Sequence, residues 1–284
     1  MFRSWKLGSM FGIGIYVHAT FLLLPLFVLL SNMGTGQIGW ALYSIMMIPA
    51  VFACVVLHEL GHALTARKYG IETRDITLYP IGGVARLERL PQRPIEEFWI
   101  AVAGPAVNVV IAALLAPICL FVVGTDFSAW TNSLLGLVLF PLLFANVLLV
   151  LFNLLPAFPM DGGRVLRALL AIHLGQLRAT TIAVQIGVAM AVVFGIVGLV
   201  TGQLMLPVIG VFVYLVGQQE LAAVRYRYAY RSREPLDVIP VPEDEFDWPT
   251  ANPRGEFSGF TWDSGSGRWI EWRNGRPVHT ISVN

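Results

Sequence analysis

The chain has 284 residues, of which 56% are hydrophobic and 13% charged, with a formal net charge of +1 and a mean hydropathy of +0.68. Soluble globular chains carry about 25% charged residues, so this composition excludes an ordinary soluble enzyme, a disordered chain and a disulfide scaffold. A net charge this close to zero offers no bulk electrostatic case for a nucleic-acid partner, and the two cysteines, Cys54 and Cys119, lie in apolar runs as packing residues.

Crossing a bilayer takes about 20 predominantly apolar residues in a helix. Apolar runs of that length predict six spans, over residues 12–31, 40–64, 98–123, 134–155, 180–200 and 204–224. The first follows Arg3 and Lys6 but lacks a small-residue cleavage site, so it reads as a retained span rather than a cleaved signal. Between the second and third spans, residues 71–90 are rich in Val, Ile, Thr and Tyr and predict two or three short strands with Gly82–Gly83 at the bend. A short helix is expected after Asp161. Residues 229–256 are acidic and Pro-rich, as in a linker. Residues 257–284 predict a three-stranded meander with its turn at Asn274–Gly275.

The expected fold class is therefore an all-α polytopic membrane protein with about six transmembrane helices. It adds a small cytosolic β element after the second helix and a small C-terminal β meander. The expected domains are a six-span membrane domain over residues 1–228, a linker over 229–256 and the meander over 257–284. All 19 Lys and Arg residues fall in the N-terminus, 65–97, 156–179 and the tail from 225. The positive-inside rule then places both termini in the cytoplasm of a multi-pass protein. The compact chain suggests a prokaryotic inner membrane.

The chemistry concentrates at His58-Glu59-Leu60-Gly61-His62, near the charged end of the second span. Helical residues four apart share a face, so both imidazoles can reach one metal ion. Glu59 can then hold a water and take its proton. The bland alternative is a solvated polar helix end. Against it, Glu59 is the acidic residue set deepest in a span, and ionisable groups at membrane depth are costly. A catalytic zinc usually takes three protein ligands. Asp161, after the helix-breaking Pro156 and Pro159, lies on the same predicted side of the membrane and is the third candidate. It could equally serve as the N-cap of the short helix.

These residues resemble the site-2 protease family of intramembrane zinc metalloproteases. The resemblance rests on H-E-L-G-H at 58–62, on Gly104-Pro105 with Asn108, and on Asn153, Pro156, Pro159 and Asp161-Gly162-Gly163. It covers about residues 10–225. It implies one Zn²⁺ per chain held by His58, His62 and Asp161, with Glu59 as general base. It also implies that Asn153 lies near the scissile carbonyl, although a helix-end hydrogen bond suits that residue equally well. Asn108 reads as a packing residue that bonds across to a neighbouring helix. The strands of 71–90 are expected beside the site, where they could pair with an unwound substrate, or else as a plain connector.

The implied activity is hydrolysis of a peptide bond in or near the transmembrane segment of a membrane-tethered regulatory protein. The partners would be that substrate, the lipid bilayer and an unknown ligand of the tail. A metal transporter or a non-catalytic membrane-protein-binding scaffold are the competing readings. The first would need polar residues along several spans and the second a broken motif. His18 reads as a polar residue inside the first span. His173 and His279 read as solvated, and Cys54 as packing four residues before His58.

Overall fold

The computed structural model describes residues 4–33, 38–123, 133–231, 239–240, 257–263, 265 and 267–282. They fall into two compact units, Met1–Val224 and Arg225–Asn284.

The first unit opens with strands β1 (Ser4–Met10) and β2 (Ile13–His18), a 3-10 turn at Ala19–Leu22 and helix α1 (Leu23–Met33). Then come α2 (Ile38–Lys68), strands β3 (Thr73–Tyr79) and β4 (Gly82–Leu87), and α3 (Pro94–Val123). Helices α4 (Leu134–Asn153), α5 (Asp161–Leu174), α6 (Gln176–Thr201) and α7 (Met205–Arg231) follow, with α7 running on into the second unit. Five of these helices, α2, α3, α4, α6 and α7, are long and apolar enough to cross a membrane, whereas Ala19–Asn32 is a shorter apolar helix.

This departs from the predicted first span. Residues 13–18 are a strand, joined to β1 by a two-residue turn in which Phe11 (φ 52°) and Gly12 (φ 85°) both take positive φ. That is the turn that matches strand twist. Ile13 and Ile15 alternate inward along β2. Apolar content alone does not separate a buried strand from a helical span, so the strand was absorbed into the run. His18 accordingly ends β2 rather than lying within a helix. Its Nδ1 is 2.7 Å from the Thr20 hydroxyl, and its ring centroid lies 4.9 Å from that of Tyr79.

The four strands form one sheet in the order β1-β2-β3-β4, with β2 and β3 parallel and the outer pairs antiparallel. Ile13, Ile15, Ile76 and Leu78 pack on Val55, Val56, Leu60 and Ala63 of α2. The helix that carries the H-E-x-x-H motif is thus also the floor of this sheet. The remaining helices leave large apolar side chains facing outward, Phe121 at 93% and Val200 at 81% exposure. In water such a surface would aggregate, but lipid solvates it. Prolines inside α2, α3 and α4 (Pro49, Pro105 and Pro117, Pro141) are tolerated in membrane helices, where neighbours satisfy the freed carbonyls.

In the second unit, β6 (Gly259–Asp263), β7 (Arg268–Arg273) and β8 (Arg276–Ser282) form the predicted meander. Arg273 pairs with Arg276 across Asn274 (φ 51°) and Gly275 (φ 74°). A fourth strand, β5 (Ile239–Pro240), joins β8 from within the segment expected to be linker. Most of that expected linker lies outside the described residues.

Candidate metal centre

The site is built where α2, α3 and α5 meet. Gly104 of α3 sits directly against the motif, and a Cβ placed there would lie 2.2 Å from His62 Nε2 and 2.7 Å from His58 Nε2. Only a glycine leaves the space between the two imidazoles open. The loop from Leu154 to Met160 then turns back over the start of α5. Gly162 and Gly163 sit so close to the Leu154, Leu155 and Ala157 backbone that no side chain would fit. This delivers Asp161 to the imidazoles. Asp161 is the first residue of α5, and its N-cap is Met160, which makes no side-chain capping bond. The carboxylate is thus turned to the histidines rather than spent on capping.

His58 Nε2 and His62 Nε2 are 3.1 Å apart, and each lies 3.2 Å from Asp161 Oδ2. All three residues are buried.

The hydrogen bonds on the far side of each ring decide which nitrogens face one another. Asn146 of α4 donates from Nδ2 to the Leu142 carbonyl at 2.8 Å, which can only accept. Its Oδ1 therefore accepts from Asn108 Nδ2 at 2.8 Å, and Asn108 Oδ1 accepts from His58 Nδ1 at 2.5 Å. His62 Nδ1 likewise donates to the Ile100 carbonyl at 2.6 Å. Both Nε2 atoms are thereby left as lone pairs pointing at each other and at a carboxylate oxygen. Asp161 Oδ2 is buried without a hydrogen-bond donor. Three electron-rich atoms at such a separation repel unless a cation lies among them. A tetrahedral zinc with bonds of about 2.0–2.2 Å spaces its ligand atoms roughly 3.3–3.5 Å apart. The observed triangle, with edges of 3.1–3.2 Å, fits one zinc ion.

The family model of "Peptidase family M50" matches residues 46–135 and 127–194. The solved structure of a site-2 protease from Methanocaldococcus jannaschii is similar, with 37% identity and a TM-score of 0.57, over 77% of this chain and 95% of that one. This chain belongs to peptidase family M50, the site-2 proteases. Among curated members, a zinc metalloprotease of Methanocaldococcus jannaschii is 36% identical over 240 residues, 83% of this chain and 66% of that protein. Stage IV sporulation protein FB of Bacillus subtilis is 27% identical over 202 residues, 66% of this chain and 65% of that protein. The chain thus spans slightly under two thirds of the length of each of these relatives.

Other residues of this M50 site sit as follows. Glu59 lies on the sheet side of α2, where the backbone of β4 presses on it: a Cβ on Gly83 would be 2.7 Å from Glu59 Cγ. A cavity of about 150 Å³ opens beside it, lined by Glu59, His62, Ala85, Leu87, Ile100 and Arg164, among others. Asn153, the last residue of α4, donates from Nδ2 to the Leu149 carbonyl at 2.9 Å, within its own helix. Cys54 is buried and its Sγ accepts a hydrogen bond from Asn146 Nδ2 at 3.3 Å.

Sequence reading missed Asn146, because a single asparagine in a leucine-rich span carries no motif. Its signal was its cost: a fully buried amide in a membrane helix needs partners. It also missed a buried ion cluster. Arg167 of α5 binds Glu97 at the start of α3 and Glu220 of α7, and its guanidinium carbon lies 4.9 Å from the Phe158 ring centroid. The cluster ties the helix that carries Asp161 to two neighbours. Removing one partner from such a cluster leaves a buried charge uncompensated.

Proposed function

We propose that the chain is an intramembrane zinc metalloendopeptidase that hydrolyses a peptide bond in or near the transmembrane segment of a membrane-tethered protein. The observation that carries this reading is the buried triangle of His58 Nε2, His62 Nε2 and Asp161 Oδ2, with Glu59 alongside at a cavity. His58, His62 and Asp161 hold the metal, and Asn108 with Asn146 keeps the His58 ring in register. Bound there, zinc would supply Lewis acidity, lowering the pKa of a water to about 7 and polarising the carbonyl. Glu59 takes the proton from the attacking water oxygen as that oxygen bonds to the carbonyl carbon. It then hands the proton to the amide nitrogen as the C–N bond breaks, so no proton is left in an apolar site.

A peptide bond inside a helix is shielded, so the substrate must unwind before it is cut. β4 is an edge strand of the sheet and adjoins Glu59, which suits it to pair with an extended substrate and satisfy its freed backbone groups. Asn153 gives one Nδ2 hydrogen to the Leu149 carbonyl and keeps the second for a scissile carbonyl.

The charge asymmetry of the loops supports cytoplasmic termini. Pairing of β2 with β3 supports the same side for residues 4–18 and 73–87. The chain then crosses first through α1 alone, which is short for the task. We also read residues 1–228 as the protease domain, with the meander of 257–284 as a module for a separate partner.

The test is metal content and cleavage of a single-span substrate by purified wild-type and Glu59→Gln proteins. About one zinc per chain in both, with cleavage in the wild type alone, is the expected result. Cleavage that survives in Glu59→Gln overturns the reading. Zinc without cleavage in the wild type would favour a transporter or a scaffold.

A further inference from the structure

Two arginines on α5 have opposite surroundings. Arg167 is buried and fully paired with Glu97 and Glu220. Arg164, one turn before it, makes no hydrogen bond or ion pair among the described residues, yet it lines the cavity that holds Glu59 and His62. Arg164 lies three positions after Asp161, and helical residues at that spacing lie on neighbouring parts of one face. The side of α5 that delivers the carboxylate ligand therefore also delivers a guanidinium.

The rest of the cavity wall is apolar, with Ala85, Leu87, Leu90 and Ile100. Arg164 is partly buried, and beside such a wall its pull on any anionic oxygen that arrives is stronger than in bulk water. The reaction creates one. As water adds to the scissile carbonyl, its oxygen gains negative charge, and donors aimed at that oxygen accelerate acyl transfer. Among the polar groups lining the cavity, Glu59 is an acceptor in the ionised form that the reaction needs, and His62 is a metal ligand. Asn153, the donor implied by the sequence resemblance, is not among the residues that line this cavity, and one of its two Nδ2 hydrogens goes to the Leu149 carbonyl.

We propose that Arg164 is a further catalytic residue, which donates a guanidinium N–H to the scissile carbonyl oxygen as negative charge builds on it. It forms and breaks no covalent bond and transfers no proton. It binds the oxygen more tightly in the transition state than in the substrate. The proposal rests on the protease reading above.

The test uses the full-length protein in detergent with a single-span protein that the wild type cuts. Arg164→Met and Arg164→Lys are compared with wild type for zinc content, kcat and KM. Binding is measured separately for an uncleaved substrate peptide and for its phosphinate isostere, which presents a tetrahedral anion. Loss of one such donor costs about 10²–10³-fold in kcat. The expected result for Arg164→Met is a kcat drop of that order with one zinc per chain retained and KM changed less than about threefold. Phosphinate affinity should fall by a similar factor while substrate-peptide affinity holds, and Arg164→Lys should recover part of both.

Unchanged kcat would overturn the proposal. So would equal losses for the phosphinate and the substrate peptide, or loss of zinc, each of which marks a merely structural or surface role. Failure of the protease reading would look different: cleavage would then persist in Glu59→Gln, whatever stands at 164.

Discussion

Among the described residues, two four-stranded sheets owe their order to different sources. The sheet of β1-β2-β3-β4 is mixed, and it is assembled from segments more than fifty residues apart around the parallel pairing of β2 with β3. Its buried face exists because α2 runs beneath it, with Val55, Val56 and Leu60 against Ile13, Ile15, Ile76 and Leu78. The sheet of β5-β8-β7-β6 is wholly antiparallel, and β7 and β8 are joined by the tight turn at Asn274–Gly275. It holds itself with Ile270 and Trp272 on one face, where the Trp272 indole donates to Thr261 at 2.6 Å. On the other face, the Trp262 and Trp269 rings stand edge-on with centroids 5.4 Å apart. A sheet that shares its floor with a catalytic helix becomes part of the active site. A sheet built from neighbours in sequence takes its order from local turns.

The contrast predicts four outcomes in descending order of effect. The metal should depend on the helices and on neither sheet. Gly104→Ala drives a methyl group into the space between His62 and His58, and we expect zinc content near zero with cleavage abolished. An alanine protein that keeps one zinc per chain would refute the cradle. The first sheet should act on the base and spare the ligands. Gly83→Val pushes against Glu59, and because displacing a reacting group by about 1 Å can cost on the order of 10²-fold, cleavage should fall by about that much at full zinc occupancy. Loss of zinc in this variant would erase the distinction between wall and cradle.

A smaller effect should come from the amide relay behind His58. Removing an outer-shell partner typically weakens metal affinity by about 10–100-fold. Zinc competition with a chelator should show a loss in that range for Asn146→Ala. An affinity equal to wild type would mean that the relay orients nothing. The smallest effect belongs to the second sheet. Gly275→Ala places a side chain at φ 74°, at a cost of roughly 1–2 kcal/mol. Protection of the β7–β8 amides against hydrogen exchange should fall, while zinc content and cleavage stay at wild-type levels. A drop in either would tie the tail to the site.

Legibility followed the range of the interactions. The Asn274–Gly275 hairpin was readable because its turn chemistry lies in two adjacent residues. The strands of 71–90 were readable because their β-branched and aromatic residues have local preferences. Residues 13–18 were not, because Ile-Gly-Ile-Tyr-Val-His inside a long apolar run satisfies a span as well as a strand. Their partner β3 begins more than fifty residues later, at Thr73. Asn108 was expected to bond across to a neighbouring helix, and it does so, but its acceptor role toward a metal-facing histidine needed the geometry of α2, α3 and α4 together.

The sequence by itself determined that long apolar helices dominate this protein, that its Lys and Arg residues gather in four segments, and which residue types are fit to hold a metal. Those follow from composition and from helical spacing, which act locally along the chain. Only the tertiary structure decided that the Nε2 atoms of His58 and His62 meet Asp161 Oδ2 at 3.1–3.2 Å. It also set Gly83 against Glu59 and brought Arg164 into the same cavity while Arg167 was drawn into an ion cluster. Which of two arginines on one helix is paired and which is free depends on what packs against each turn. That is settled by close-packed helices and strands that are distant in sequence.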